Sequence, residues 1–177
     1  MNKKTIINSI LIIALIAAVI GFILLSQTPE APKQQLDTEN QETETYIYPL
    51  GADKIPLATL KNKVVLINFW ATWCPPCIVE IPELISLKEE LKDENFDIIG
   101  ISMDDGSSEV LSFMKDTSFN YPIVMVNKYL YKTFGPATAI PTSVLVGKNF
   151  EIVRVFQGYH SSNELKPEIK ALLNRDS

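Results

Sequence analysis

The stretch from Val64 to Cys77 constrains the fold more than any other part of this chain. It begins with a run of mostly apolar residues ending at Trp70, whose length is typical of a buried β-strand. The run is followed at once by Ala-Thr-Trp-Cys-Pro-Pro-Cys, which leads into a segment of helical periodicity from Pro75 onward. The sequence therefore predicts Cys74 and Cys77 at the junction between a buried strand and a helix.

A cysteine at the start of a helix has altered chemistry. The unpaired backbone N–H groups and the positive end of the helix dipole both favour the thiolate over the thiol. Because the thiolate is the nucleophile, a lowered pKa would make Cys74 reactive at neutral pH. Pro75 suits the first helical turn, which does not use its N–H. We therefore expect Cys74 to attack a substrate disulfide and Cys77 to resolve the mixed disulfide.

The composition of the rest of the chain limits the functions that this cysteine pair can have. The chain has two cysteines and a single histidine, His160, so it cannot by itself supply four Cys/His ligands for zinc. The net charge is −5 without a basic cluster, which argues against binding to nucleic acid. A redox pair that needs no cofactor is the prediction, and a structural disulfide or a metal clip is the alternative.

Strands and helices alternate along the remainder of the folded part. The predicted strands are Val64–Trp70, Phe96–Ser102, Tyr121–Val126, Thr142–Val146 and Glu151–Phe156. The predicted helices are Pro75–Lys92, Ser107–Asp116, Lys128–Phe134 and Ser161–Leu173. This alternation, closed by a hairpin, implies an α/β layer structure with a largely parallel centre.

Two of these helices have a predicted apolar side. In the first it is formed by Ile78, Ile81, Leu84, Ile85, Leu87 and Leu91. In the second it is formed by Val110, Leu111 and Met114, with Ser107 or Ser108 as the predicted cap. These residues should face the sheet.

The first residues of the chain predict a membrane segment. Lys3 and Lys4 precede an unbroken apolar run that ends at Leu25. A helix starting at Thr5 would be about 31 Å long at that end point, close to the thickness of the hydrocarbon core. The lysines favour the cytoplasmic side. We expect residues 1–25 to be an uncleaved anchor; a cleaved signal peptide is the alternative, although no A-x-A-like site follows the run.

The residues after this run predict a tether and then the folded domain. Residues 26–45 are polar and proline-containing, which indicates a solvated linker. Residues 46–177 form the predicted domain. The expected location is therefore a single-pass protein of the cell membrane, with its domain on the extracytoplasmic side.

The segment from Asn68 to Cys77 resembles the active site of thioredoxins and, more closely, that of TlpA/ResA-like membrane-tethered thiol–disulfide oxidoreductases. The matching residues are Trp70, Trp73, Cys74, Cys77, the helix proline Pro82 and the loop Ile140-Pro141-Thr142. Residues 107–126 are similar to a helix and strand that this subfamily inserts. The resemblance implies a thioredoxin fold, that is, a central mixed β-sheet flanked by helices, with the inserted helix–strand unit and an N-terminal transmembrane helix.

The resemblance also implies the roles of particular residues. Cys74 and Cys77 would form the redox-active disulfide. Glu80 matches a glutamate found near the dithiol in the ResA-like group, and a carboxylate there could accept the proton of Cys77. The alternative for Glu80 is a first-turn glutamate stabilised by the helix dipole. Asn68 replaces the buried aspartate of ordinary thioredoxins, so that proton acceptor is absent.

Three further residues are implied to contact the substrate. Trp73 precedes the dithiol, and Ile140 and Pro141 lie in a loop that carries a cis-proline beside the dithiol in thioredoxin-like proteins. We therefore expect a cis peptide bond before Pro141.

The function that the resemblance implies is reduction of disulfides in extracytoplasmic proteins, such as the haem-binding cysteines of apocytochrome c. A membrane dithiol carrier would donate the electrons, and the oxidising direction would use the same residues. A Sco-like copper-binding assembly factor, with Cys74, Cys77 and His160 as conceivable ligands, is a different class. Sco-like proteins place three residues between their cysteines, whereas this chain has two. The cysteine motif of peroxidases is not found.

Overall fold

The computed structural model describes residues 46–134 and 138–176. The predicted anchor and the predicted linker lie outside these residues. In the described part, none of the helices has the length and apolar character needed to cross a membrane. The structure therefore bears on the domain predicted from Tyr46 onward.

Five strands form a central mixed sheet, preceded by a short antiparallel pair. The pair is β1 (Tyr46–Ile47) and β2 (Ile55–Pro56), and the sheet contains β3 (Val64–Trp70), β4 (Phe96–Ser102), β5 (Ile123–Met125), β6 (Thr142–Val146) and β7 (Ile152–Gln157). The strand order is β5-β4-β3-β6-β7. Strands β3, β4 and β5 are parallel, β6 is antiparallel to β3, and β7 is antiparallel to β6. The mixed sheet is as predicted.

The predicted helices are all present, with bounds that differ by at most two residues. They are α1 (Pro75–Glu90), α2 (Ser107–Asp116), α3 (Lys128–Phe134) and α4 (Ser162–Leu173), and short 3-10 helices cover Leu57–Leu60 and Asn174–Asp176. Helix α2 and strand β5 form the predicted extra unit and place β5 at one edge of the sheet. Because β3 lies at the centre, its end is where α1 and the dithiol begin.

Strand β3 is buried over its whole length. Its alternate residues belong to two apolar clusters, Leu66 and Trp70 to one that includes α1 and α4, and Val65 and Ile67 to another that includes α3. A strand covered on both faces is apolar almost throughout. Asn68 is the polar exception, so its buried amide requires hydrogen-bond partners.

The predicted apolar side of α1 is wrong at one position. Ile78 is 39% exposed, whereas Cys77 and Glu80 are buried. The buried positions of α1 itself are Cys77, Glu80, Ile81, Leu84 and Leu87. Residues three or four apart lie on the same face of a helix, so the buried face that contains Cys77 and Leu84 also contains Glu80. Ile78 lies outside this face and is exposed.

Helix α2 also differs from the prediction. Val110 is buried, but Leu111 is 39% exposed because it lies one residue off the narrow buried face of this short helix. The N-cap is Gly106 and no side chain caps the helix, so the predicted serine cap is wrong. Ser108 lies inside the helix, and its hydroxyl donates to Glu109 instead.

Candidate active site

The register of the sheet brings two segments of the predicted site to the same end. Strand β3 ends at Trp70 and β6 begins at Thr142, and the antiparallel register pairs Phe69 with Thr142. The turn that leads to the dithiol therefore starts beside the loop that contains Pro141. The peptide bond between Ile140 and Pro141 is cis, which confirms that prediction. Ile140 is half-buried and packs against both apolar clusters.

Cys74 and Cys77 form a disulfide at the start of α1. The S–S distance is 2.05 Å and the Cα atoms are 5.3 Å apart. Cys74 is the N-cap residue of α1, and its own N–H donates to the carbonyl oxygen of Ala71 at 3.2 Å. Both cysteines are nearly buried, whereas the Trp73 side chain is 66% exposed. The predicted pair is thus in the position where a thiolate is stabilised by the helix end.

Glu80 is buried below this helix start and is 1% exposed. Its Oε2 accepts a hydrogen bond from Asn68 Nδ2 at 2.8 Å, and its Oε1 accepts one from the backbone N–H of His160 at 3.0 Å. Burial raises the pKa of Glu80, and the two hydrogen bonds and the nearby His160 only partly oppose that effect. The first turn of α1 contains no acidic residue, so the first-turn alternative for Glu80 is wrong.

Asn68 links Glu80 to the sheet. Its amide nitrogen donates a second hydrogen bond to Ser143 Oγ at 3.0 Å, and Ser143 is its registered partner on β6. Asn68 is not a proton acceptor, as expected, but it fixes the carboxyl group of Glu80. Ser143 was not predicted as a site residue, because its position beside Asn68 depends on strand register. A polar residue within a buried strand is nevertheless a signal that such a partner exists.

The loop after β7 completes the surroundings of Glu80. The N–H of Gly158 donates to the carbonyl oxygen of Pro141 at 2.8 Å, two residues before His160 donates to Glu80. The loop thus connects the cis-proline segment with the buried carboxyl. Tyr121 is also buried, and burial together with the charge of Glu80 raises the pKa of its phenol far above the usual range. That phenol is therefore neutral.

The described residues offer little that would favour a metal. Among residues 46–134 and 138–176, no three His, Cys, Asp or Glu side chains are grouped so as to hold a metal ion. The His160 ring packs edge-on against Phe156, and its Nε2 lies 3.3 Å from the carbonyl oxygen of Gln157.

A cavity of about 320 Å³ lies against the other face of the sheet, beside Ile67 and Ile99, and none of its lining residues belongs to the dithiol site.

A disulfide at the N-cap of a helix, next to a cis-proline loop, defines a thiol–disulfide oxidoreductase. The chain belongs to the Redoxin family, whose model matches residues 47–173. Thiol-disulfide oxidoreductase ResA from Bacillus cereus is 25% identical over 97% of this chain and 99% of its own length. ResA from Oceanobacillus iheyensis is 30% identical over 89% of this chain and 83% of its own length.

Solved structures confirm the thioredoxin fold. A thioredoxin-family thiol:disulfide interchange protein from Chlorobium tepidum has a TM-score of 0.68 and 28% identity, over 73% of this chain and 92% of its own. StoA from Bacillus subtilis has a TM-score of 0.61 and 25% identity, over 69% of this chain and 92% of its own. The implied fold is therefore correct for the described domain.

Proposed function

We propose that this protein reduces disulfides of extracytoplasmic proteins while residues 1–25 anchor it in the cell membrane. The observation that carries the proposal is the buried carboxyl group of Glu80 one helical turn beyond Cys77, with a raised pKa and two fixed donors. A carboxyl group in that state suits the transfer of a thiol proton near neutral pH. Residues 26–45 would be the tether, and a membrane dithiol carrier would donate the electrons.

The first step is attack by Cys74 on the substrate disulfide. The Cys74 thiolate forms a bond to one substrate sulfur, the substrate S–S bond breaks, and the second substrate sulfur leaves as a thiolate that takes up a proton from the solvent. The N-cap position of Cys74 supports this role because the positive end of the α1 dipole favours its thiolate, although Pro75 and Pro76 contribute no N–H.

The second step is resolution by Cys77. Its thiol gives its proton to Glu80, and the resulting thiolate attacks the sulfur of Cys74. The Cys74–Cys77 disulfide forms, the mixed disulfide breaks, and the remaining substrate sulfur leaves as a thiolate that takes up that proton. Two electrons have then passed from the dithiol to the substrate, and the Cys74–Cys77 disulfide would be the oxidised form of the protein in this scheme.

The substrate surface is proposed to include Trp73, Ile140 and Pro141. Trp73 is exposed directly before Cys74, and Ile78 and Val79 of α1, which follow Cys77, are exposed as well. The exposed side chains around the dithiol are apolar, so we expect them to contact an uncharged segment of the substrate that carries the disulfide. The haem-binding cysteines of apocytochrome c are the proposed physiological substrate, as the resemblance of the sequence to TlpA/ResA-like proteins implies.

The reduction potential tests the direction of the reaction. The full-length protein is equilibrated with glutathione buffers, and the fraction of reduced dithiol is measured by thiol trapping. We expect a potential well below that of a strong oxidant, which is about −120 mV. A value in that oxidant range would overturn the reductase direction and leave the exchange chemistry in place.

Mass spectrometry of membrane and soluble fractions tests the anchor. We expect the intact chain, including residues 1–25, in the membrane fraction. A mature protein that begins after Leu25 and is found in the medium would refute the uncleaved anchor.

A further inference from the structure

A second buried carboxyl group, Asp104, lies two residues after the end of β4 and is 5% exposed. Its Oδ1 accepts a hydrogen bond from the Thr72 hydroxyl at 2.5 Å. Its Oδ2 accepts the Thr72 backbone N–H at 3.0 Å and the Ser102 hydroxyl at 2.8 Å. The N–H of Asp104 donates back to Ser102 Oγ at 3.1 Å. These three residues, Thr72, Ser102 and Asp104, form the Asp104 cluster.

The contacts of Asp104 are directed to the turn before the dithiol rather than to the nearest helix. Asp104 lies two residues before Gly106, the N-cap of α2, and aspartate is a preferred capping residue. Its oxygens nevertheless bind Thr72, which lies inside the turn closed by the hydrogen bond from Cys74 N–H to Ala71. The carboxyl group therefore holds the middle of the turn that ends at Cys74.

The Asp104 cluster is attached to the rigid centre of the sheet. The N–H of Met103 donates to the carbonyl oxygen of Trp70 at 2.8 Å, which continues the contact between β3 and β4 beyond their ends. Ser102 is fully buried and is paired with Trp70 in the parallel register. A buried carboxyl group is costly unless it is hydrogen-bonded, so the turn gains a fixed anchor on the strand.

We propose that Asp104 is a positioning residue for Cys74. By binding both the N–H and the hydroxyl of Thr72, it keeps Cys74 at the N-cap of α1, where the thiolate is stabilised. Asp104 acts through Thr72 and does not touch the reacting sulfurs. The proposal rests on the attacking role of Cys74 proposed above.

Thr72 is the residue to substitute, because its variants leave the charge of Asp104 unchanged. The experiment uses the full-length protein with the substitution Cys77→Ser, which leaves Cys74 as its single thiol. The rate of alkylation of Cys74 by a neutral reagent is measured against pH, together with the thermal unfolding of each variant. Asp105, an exposed neighbour of Asp104, provides a matched control as Asp105→Asn.

We expect Thr72→Val to move the alkylation profile to higher pH. At neutral pH the rate should fall about two- to fivefold, the size of a lost helix-terminus interaction. Thr72→Ser, which keeps the hydroxyl, should restore the profile, and Asp105→Asn should leave it unchanged. In an Asp104→Asn background, Thr72→Val should have a much smaller effect, because coupled residues are not additive.

Different results would contradict the positioning role of Asp104 and the attacking role of Cys74. A Thr72→Val profile that coincides with the parent profile would reduce Asp104 to a purely structural residue, even if thermal stability falls. An equal shift in Asp105→Asn, or full additivity of Thr72→Val with Asp104→Asn, would also overturn the proposal. If Cys74 in the parent protein alkylates like an ordinary thiol, the attacking role itself fails, which is a different outcome from failure of the positioning role.

Discussion

The dithiol is accompanied by two buried carboxyl groups whose surroundings differ. Each oxygen of Glu80 accepts one hydrogen bond, from the neutral groups Asn68 Nδ2 and His160 N–H. The oxygens of Asp104 accept three, two of which come from Thr72 alone. Burial is the largest influence on the pKa of Glu80 and raises it, because the two hydrogen bonds only partly stabilise the charged carboxylate. In Asp104, the two donors of Thr72 and the hydroxyl of Ser102 instead join the turn before Cys74 to the end of β4, so this carboxyl group anchors the turn.

Removing the attacking thiol should have the largest effect, since both carboxyl groups then have no reaction to serve. We expect Cys74→Ser to abolish reduction of insulin disulfides and Cys77→Ser to accumulate mixed disulfides with the substrate. Non-reducing gel electrophoresis detects the trapped species. Normal insulin turnover by Cys74→Ser would contradict the assignment of Cys74 as the nucleophile.

Replacing the carboxyl group of Glu80 should slow the reaction without unfolding the domain. Glu80→Gln keeps the shape but cannot take the proton of Cys77, so we expect disulfide reduction to slow roughly tenfold to 10²-fold. At least one cysteine pKa should fall, because an ionised neighbour disfavours a second negative charge. Alkylation rates against pH and insulin turnover test both effects. Coincident profiles with equal turnover would leave Glu80 without a functional role.

The raised pKa of Glu80 should appear in the stability of the oxidised protein, in which the cysteines do not titrate. A carboxyl group with a raised folded-state pKa binds its proton more tightly in the folded protein. Its stabilising contribution is complete below the ordinary glutamate pKa of about 4.3 and is lost as the pH rises through the folded-state pKa. The unfolding free energy of the wild type, relative to Glu80→Gln, should therefore fall over that interval.

Denaturant unfolding at several pH values measures this difference. Subtracting the Glu80→Gln values removes the contributions of other acids, such as Asp97, whose pKa is lowered by its partners Lys63 and Lys88 despite burial. A difference that stays constant across the pH range would mean that the pKa of Glu80 is not raised in the folded protein.

An exposed glutamate of the same helix provides the smallest expected effect. Glu90 is paired with Lys166 of α4, and both side chains are substantially exposed. Glu90→Gln should change the unfolding free energy by about 1 kcal/mol or less, because exposed ion pairs contribute little. Insulin turnover should equal that of the wild type. A loss of activity similar to that of Glu80→Gln would indicate that any charge change on α1 disturbs the site.

The sequence predicted those features of the site that depend on local pattern. The run Val64–Trp70, the prolines after Cys74 and the helical periodicity beyond them are read over a few residues, and the structure has the corresponding strand, disulfide and helix. Glu80 shows the limit of that approach. The predicted apolar side was built from apolar residues only, so it included Ile78 and omitted the acid that lies on the buried face.

Contacts between distant residues were not predictable in the same way. Thr72 and Asp104 are separated by 32 positions, and Asn68 and Ser143 by 75. Their contact depends on which strands are neighbours and in which register, which no local pattern specifies. One signal was available: Asp104 is an acid two residues after the predicted buried strand Phe96–Ser102, in a sheet predicted to have a largely parallel centre. The carboxyl end of that strand would then lie at the same edge of the sheet as the end of Val64–Trp70, which leads to Cys74.

One donor to Glu80 comes from the main chain at position 160 and not from the imidazole. Every amino acid except proline carries the same N–H, so the contact is indifferent to side-chain identity. A library randomised at this codon should therefore return active clones with nearly any residue, and proline alone should be depleted for want of a hydrogen. This contact of the candidate active site depends on the backbone conformation and not on a side chain, so alanine scanning would not detect it.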